Sequence, residues 1–298
     1  MLNQTSLFPK NTAGYDLHTH STASDGSLSP AELVEAAMAC GVHHLAVSDH
    51  DTLGGYHLAK QHVVKKDLGI NIIPAVEFSS RWNTRDPDDG RGMTVHIVAL
   101  HIDPEHAALH ELLAMTQQAR AERNARIKHK MTKKGWLDVF EHAEELAEQG
   151  QLTRTHLARA MLDLNKVSQY RQAFSRYLGE GRPLAVHTRW PNLRESISRI
   201  NAADGTAVLA HPLHYSLTRK KLLQLCSDFK HVGGNAIEVI TGRANKDMIE
   251  QLCGIALRMD LQASVGSDFH SPRNGVAQLG VQQTLPDTLP AVWSNWSN

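Results

Sequence analysis

Strand-like apolar runs alternate with helix-spaced segments along the first hundred residues. Gly14 to His18, His44 to Ser48, Asn71 to Phe78 and Met93 to His101 read as strands, and Pro30 to Cys40 and Gly54 to Asp67 read as helices. The first helix carries its own punctuation. Ser29 stands at the cap position, Pro30 at the first helical position and Glu32 in the first turn, and Gly41 ends it. This alternation predicts a parallel sheet covered by helices. A polar stretch before the fourth strand, RWNTRDPDDGRG, reads as a surface loop.

From Pro104 to Leu178 the strand signal vanishes. Ala107 to Lys134 and Trp136 to Gln149 are helical and strongly charged. Strand runs resume at Ala207 to Ala210, Ala236 to Ile240 and Gln262 to Val265, with helical stretches at Leu193 to Ala203, Thr218 to Phe229 and Lys246 to Met259. Residues 1–103 and 180–298 are therefore expected to form one α/β unit of barrel size, interrupted by a helical insertion over 104–179. The tail PDTLPAVWSNWSN is expected to pack its two tryptophans on that unit or on a partner.

Charge and cysteine content narrow the class. Lys+Arg and Asp+Glu balance at 31 each, which argues against a global positive field for gripping long nucleic acid, so any polyanion contact must be local. Cys40, Cys226 and Cys253 lie in or beside apolar helical stretches without metal-finger spacing, and read as buried free thiols in a reducing compartment. Neither a signal-peptide core nor a bilayer-length apolar run is present. A cytoplasmic protein without a membrane segment or a stable protein partner is the expectation.

Histidines and acids then supply the candidate chemistry. In parallel α/β folds it collects at the carboxyl ends of strands. His18 and His20 close the first run, on one side of an extended strand; Asp49, His50 and Asp51 follow the second, and Glu77 follows the third. His96 lies in the fourth run, His211 follows AVLA, and Asp268 and His270 follow the last. Asp25 reads as functional rather than as a turn residue. Asp51 reads as a helix cap, and His43, His44, His62 and His101 as surface or packing residues. Glu238, inside a strand run, reads as a buried carboxylate satisfied by a barrel arginine.

The ordered motifs HxH, Asp, SDHD, Glu, His, AHP and SDFH resemble those of the PHP (polymerase and histidinol phosphatase) superfamily, over nearly the whole chain. Within it LTRTHLARAM, YLGEGRPLAV and AVLAHP look most like the branch of nucleoside 3′,5′-bisphosphate phosphatases and 5′-3′ exoribonucleases, ribonuclease AM. The resemblance implies a distorted seven-stranded (β/α) TIM-like barrel holding three metal ions. By it, His18, His20, Glu77 and Asp268 hold one ion, Asp25, His50 and His270 a second, and Glu77, His96 and His211 a third. Asp16 is expected to orient a ligand histidine.

Imidazole and carboxylate ligation without thiolate suits Mn²⁺, Fe²⁺ or Zn²⁺, and the resemblance favours Mn²⁺. A hydroxide held between such ions is the expected nucleophile for a phosphate ester. No protein nucleophile is then required, and the leaving group's acid is either His214 or metal-bound water. Arg123, Arg126, Lys130 and Lys133 recur at intervals of three, four and three and are assigned to one helix face. Arg123 and Arg126, with Arg154 and His156, are the candidates for binding a second phosphate. The expected substrates are a small phosphorylated nucleotide and short RNA 5′ ends. The alternatives are histidinol phosphate or another small phosphomonoester, and a non-catalytic accessory module stabilised by metal.

Overall fold

The computed structural model describes residues 14–83, 92–272, 278–280, 285–286 and 289–296. Strands and helices alternate as β1 (Tyr15–Thr19), α1 (Pro30–Ala39), β2 (His44–Val47), α2 (Gly54–Lys66), β3 (Asn71–Ile73), β4 (Ala75–Trp82) and β5 (Met93–Leu100). Three long helices follow: α3 (Ala107–Lys133), α4 (Leu137–Ala147) and α5 (Arg154–Asp163). A short α6 (Tyr170–Ala173) runs into a π-helical turn, Phe174–Leu178. The chain then returns through α7 (Leu193–Ala202), β6 (Thr206–Leu209), α8 (Arg219–His231), β7 (Ala236–Thr241), α9 (Lys246–Arg258) and β8 (Gln262–Gly266). None of the helices in the described residues is long and apolar enough to cross a membrane.

The start of α1 follows its sequence signals. Ser29 Oγ accepts the Glu32 N–H at 3.3 Å, and the Glu32 carboxylate accepts the Ser29 N–H at 2.8 Å, so two unpaired donors are satisfied reciprocally. The third expected strand is broken. Pro74 offers no N–H for a ladder and divides it into β3 and β4, and Arg81 and Trp82, expected in the loop, end β4. The rest of that loop, 84–91, lies outside the described residues.

The architecture is mixed α/β in two sheets, β1-β2-β3 and β4-β5-β6-β7-β8. The expected all-parallel arrangement fails at β5, which runs antiparallel to both β4 and β6. Ten residues, 83–92, separate β4 from β5, fewer than a parallel crossover needs, and the chain returns in the opposite direction. Backbone hydrogen bonds join the two sheets: Asp268 N–H to His18 C=O at 2.8 Å links the end of β8 to β1, and Glu77 N–H to Ser48 C=O at 3.0 Å links β4 to the end of β2.

Three apolar clusters fill the molecule. One, including Leu17, Ala46, Val98, Val208 and Ala236, lies among the strands; a larger one packs the helices on the sheets. The third gathers Ile127, Met131, Phe140, Leu157 and Leu178 from the helical segment. Helix α3 belongs to two of them, since Leu109 and Leu112 pack with the sheets and Ile127 and Met131 with the helices. The C-terminal tail packs on the chain itself: Val292 is buried among the strands, Trp293 stacks on Tyr15 at 4.1 Å, and Trp296 stacks on His101 at 5.1 Å. All three cysteines are buried and unpaired.

Candidate metal centre

Strand ends bring the histidines and acids together. Residues 16, 18 and 20 share a face of β1 and its continuation, while Leu17 turns to the apolar cluster among the strands. Their neighbours stand just past β2, β6 and β8 and within β4 and β5. His211 and Asp268 take left-handed backbone, φ +30° and +51°, which turns each side chain off the end of its strand. Gly266 is required beside them, because a Cβ there would sit 2.3 Å from the Cβ of His18.

Four donor atoms converge most closely. His18 Nε2 lies 3.1 Å from His20 Nε2, 3.4 Å from Glu77 Oε2 and 3.5 Å from Asp268 Oδ1. His20 Nε2 lies 3.3 Å from the same two oxygens. Ligands about 2.1 Å from one ion stand roughly 3.0 to 3.4 Å apart at neighbouring corners, so these separations match the edges of a coordination polyhedron. Around Asp25, His270 Nε2 approaches Oδ1 to 3.4 Å and His50 Nε2 approaches Oδ2 to 3.8 Å. Around Glu77, His96 Nδ1 and His211 Nε2 reach Oε1 at 2.8 and 2.9 Å. All nine residues expected to ligate metal therefore fall into groups whose donor atoms lie within 4.8 Å of one another.

Buried His50 Nδ1 and Glu77 Oε2 lie 2.9 Å apart, yet neither has a hydrogen-bond partner among the described residues. Bound cations would satisfy such atoms, and the donor set fits a borderline divalent metal.

Electrostatics leads to the same place. Burial alone would push Glu77 and Asp25 up, but facing histidines hold both carboxyls well below the ordinary range. Burial opposes charge on His18, yet Glu238, Glu77 and Asp268 outweigh it and hold the imidazolium; Asp25 and Asp268 do the same for His270, pushed up to about 10. His20 goes the other way, down to about 3, through burial and the charge on His270. Positive charge is drawn into this cluster, and a metal cation supplies it while leaving imidazole lone pairs free to bind.

The supporting residues differ from those expected. Asp16 bonds to backbone rather than to an imidazole among the described residues: its carboxylate accepts N–H groups of Ser267 at 2.9 Å and Gly280 at 3.4 Å, which ties β1 to the chain beyond β8. The residue that orients a histidine is Glu238. Among the described residues its partners are not arginines: Oε1 accepts from His18 Nδ1 at 2.5 Å, which leaves Nε2 facing the cluster, and Oε2 accepts the His211 N–H at 2.6 Å. Asp51 is not a helix cap either. Its carboxylate accepts the Ser79 N–H at 2.8 Å and pairs with Arg120, a residue the sequence reading missed.

The cluster opens into a cavity of about 660 Å³. Arg120, Arg123, Arg154 and Arg182 line it as well. Arg120 and Arg123 lie over the Trp190 ring, at 5.4 and 5.6 Å. Arg123 is 6% exposed, and its guanidinium has neutral partners, Asn124 Oδ1 at 3.0 Å and Leu152 C=O at 3.2 Å. Burial, then the neighbouring charges of Arg120 and Arg154, depress its affinity for its proton. An anion in the cavity relieves that cost.

Three expected substrate or acid residues lie elsewhere. Arg126 is exposed on the other side of α3, with Nε donating to its own helix at Glu122 C=O. His156 caps α5, Nδ1 accepting the Thr153 N–H at 3.2 Å, and is not among the residues lining the cavity. His214, on the turn after β6, stacks on His211 at 5.4 Å and is also outside the lining; desolvation and the charge on His211 push it down.

Comparison with known proteins agrees with the geometry. A 5′-3′ exoribonuclease of Haemophilus influenzae is 42% identical over 96% of this chain and all of its own length. A 3′,5′-nucleoside bisphosphate phosphatase of Chromobacterium violaceum is 35% identical over 94% of this chain and 95% of its own. A solved structure from the same organism, described as an amidohydrolase with bound sulfate and no metal, superimposes with a TM-score of 0.83, 34% identity and coverage of 93% of this chain and 94% of that one. The model of the PHP domain matches residues 16–182, from the first strand to the rim of the cavity, and the chain belongs to that family.

Proposed function

We propose that this protein is a divalent-metal-dependent phosphoesterase acting on nucleotides that carry a second phosphate. Nucleoside 3′,5′-bisphosphates and the 5′ ends of short RNA are its substrates, in keeping with the names of its relatives. One observation carries the reading: a single cavity is lined both by residues of the candidate metal groups and by arginines, among them the buried Arg123, whose hydrogen-bond partners are neutral. A substrate with a scissile phosphate at one end and a fixed anion at the other fits both.

In this reading His18, His20, Glu77 and Asp268 hold one ion, Asp25, His50 and His270 a second, and Glu77, His96 and His211 a third, with Mn²⁺ favoured. Bound cations supply a Lewis acid for phosphoryl oxygens and a nucleophile drawn from water at neutral pH. The chain's own residues do the rest. Glu238 fixes the His18 tautomer, Asp51 and Trp190 fix Arg120, and Arg123 and Arg154 hold the non-reacting phosphate. The leaving group takes its proton from water. We read the two sheets as arcs of one distorted barrel formed by 1–103 and 180–298, and 104–179 as the subdomain that brings the arginines over its mouth. A reducing, cytoplasmic setting belongs to the same reading and is supported by the unpaired buried thiols.

The test is phosphate release from the Mn²⁺-reconstituted protein with adenosine 3′,5′-bisphosphate, AMP, histidinol phosphate and short 5′-phosphorylated RNA. The bisphosphate is expected to exceed histidinol phosphate in kcat/KM by about a hundredfold, the worth of one buried charge-assisted contact. Equal rates would remove the arginines from recognition. A metal-loaded protein inert toward all four would return the accessory-module reading.

A further inference from the structure

The loop that carries Asp25 is held from a side the metal reading does not use. Within 21–26 it closes on itself, Ser24 and Gly26 both donating N–H to Ser21 C=O at 3.1 and 2.9 Å. Asp49 clamps one flank by accepting from Ser21 and Ser24, and His270 C=O clamps another by accepting the Ser27 N–H at 2.7 Å. The third contact comes from the α4–α5 connection. Gln151 donates its N–H to Ala23 C=O at 2.9 Å, two residues before Asp25.

Next to it, Gly150 lies flat on the same loop. A Cβ at 150 would stand 2.3 Å from Thr22 O and 3.0 Å from Ala23 O, both backbone atoms that cannot swing aside. The connection is itself gripped from behind, since Arg123 and Asn124 donate to Leu152 C=O at 3.2 and 3.1 Å. An unbroken run of contacts therefore leads from the guanidinium wall, through Leu152, Gln151 and Gly150, to the loop that presents Asp25.

We propose that Gly150 and Gln151 form a positioning strut through which the helical segment sets the place of the Asp25 carboxylate relative to His50 and His270. This rests on the reading of Asp25 as a metal ligand. Gly150 is needed for the absence of a side chain: the strut must approach the loop at backbone distance, and any Cβ drives the two apart. The helical segment is then part of the metal site and not only its cover.

The experiment is equilibrium Mn²⁺ binding by titration calorimetry to the wild-type protein, Gly150→Ala, Gly150→Val and Asp25→Asn, with metal-free melting temperatures measured alongside. Asp25→Asn identifies the class of sites that depends on Asp25. Gly150→Ala is expected to weaken that same class by tenfold or more, the scale set by disturbing the support of a ligand, and to leave the remaining sites unchanged. Gly150→Val is expected to weaken it further; if Val unfolds the protein, the Ala isotherm decides alone. An Ala isotherm equal to wild type, or equal weakening of every class of sites, overturns the proposal. Failure of the wild type to bind Mn²⁺ at all overturns the metal reading beneath it, a different and distinguishable result.

Discussion

The histidine and carboxylate wall of the cavity is hung on strand ends, whereas the guanidinium wall is hung on helix α3, the start of α5 and the chain returning from the π-helical turn. On the first wall the strand ladder places side chains: each proposed ligand except Asp25, which stands on the loop after β1, sits in or within a few residues of a strand whose register is set by backbone pairing. On the second wall, placement depends on the phase of a helix and on what its faces pack against. Charge is handled differently as well. Acids and imidazoles of the first wall neutralise one another across 2.5 to 3.8 Å, while Arg123 of the second leans on neutral carbonyl and amide oxygens. A self-neutralising cluster waits for cations; an uncompensated one waits for an anion.

Glu77 offers the hardest blow to that division. It is 1% exposed and lies within 3.4 Å of His18, His20, His50, His96 and His211. Glu77→Gln keeps the shape and removes the charge. The variant should lose bound metal by elemental analysis and lower kcat by at least ~10³-fold, about 4 kcal/mol of barrier. Retention of both metal and kcat would make this wall structural rather than reactive.

The same division explains what could be read in advance. HxH, SDHD, AHP and SDFH were legible because alternation and strand ends leave little freedom, and their residues meet as a cluster. Glu238 was misjudged because its partner, His18, is 220 positions away, and a carboxylate in an apolar strand does not announce which cation it faces. The arginines went astray through helix phase. Leu109, Leu112, Thr116, Arg120, Arg123, Ile127 and Met131 form the buried stripe of α3, and Arg126 is off it. The signal was there: arginines in step with the apolar residues face inward, so Arg120 and Arg123 belonged together. Pro74 likewise announced the break between β3 and β4, and the ten residues from 83 to 92, fewer than a parallel crossover needs, announced the antiparallel course of β5.

A pair of substitutions on α3 sharpens the comparison. Arg123→Ala should raise KM for adenosine 3′,5′-bisphosphate by roughly 10- to 100-fold, the worth of a hydrogen bond to a charged group, with kcat much less affected. Arg126→Ala should leave both within about twofold, since an exposed cation contributes little. The split matters more than either value. A fall in kcat at unchanged KM for Arg123→Ala would mean that the guanidinium wall acts on the reacting phosphate, and the two walls would not be separate.

The smallest expected effect is a count of protons. His18 is raised well above the ordinary histidine range and His270 to about 10, burial being outweighed by facing carboxylates, so these two carry protons in the metal-free protein at pH 7; His50 and His211 are raised in the same direction. A nitrogen must be free to bind an ion, so metal loading expels those protons, and affinity should increase as pH rises. His20 and His96 are lowered and contribute no release. With His270 pushed up to about 10, release should persist at pH 8.5, where an unperturbed histidine has nothing left to give. Calorimetric Mn²⁺ titrations in two buffers of different ionisation enthalpy measure the number directly. No release at pH 7 would mean that the carboxylates are neutralised by some other charge, and the contrast between a self-neutralising wall and an uncompensated one would lose its first half.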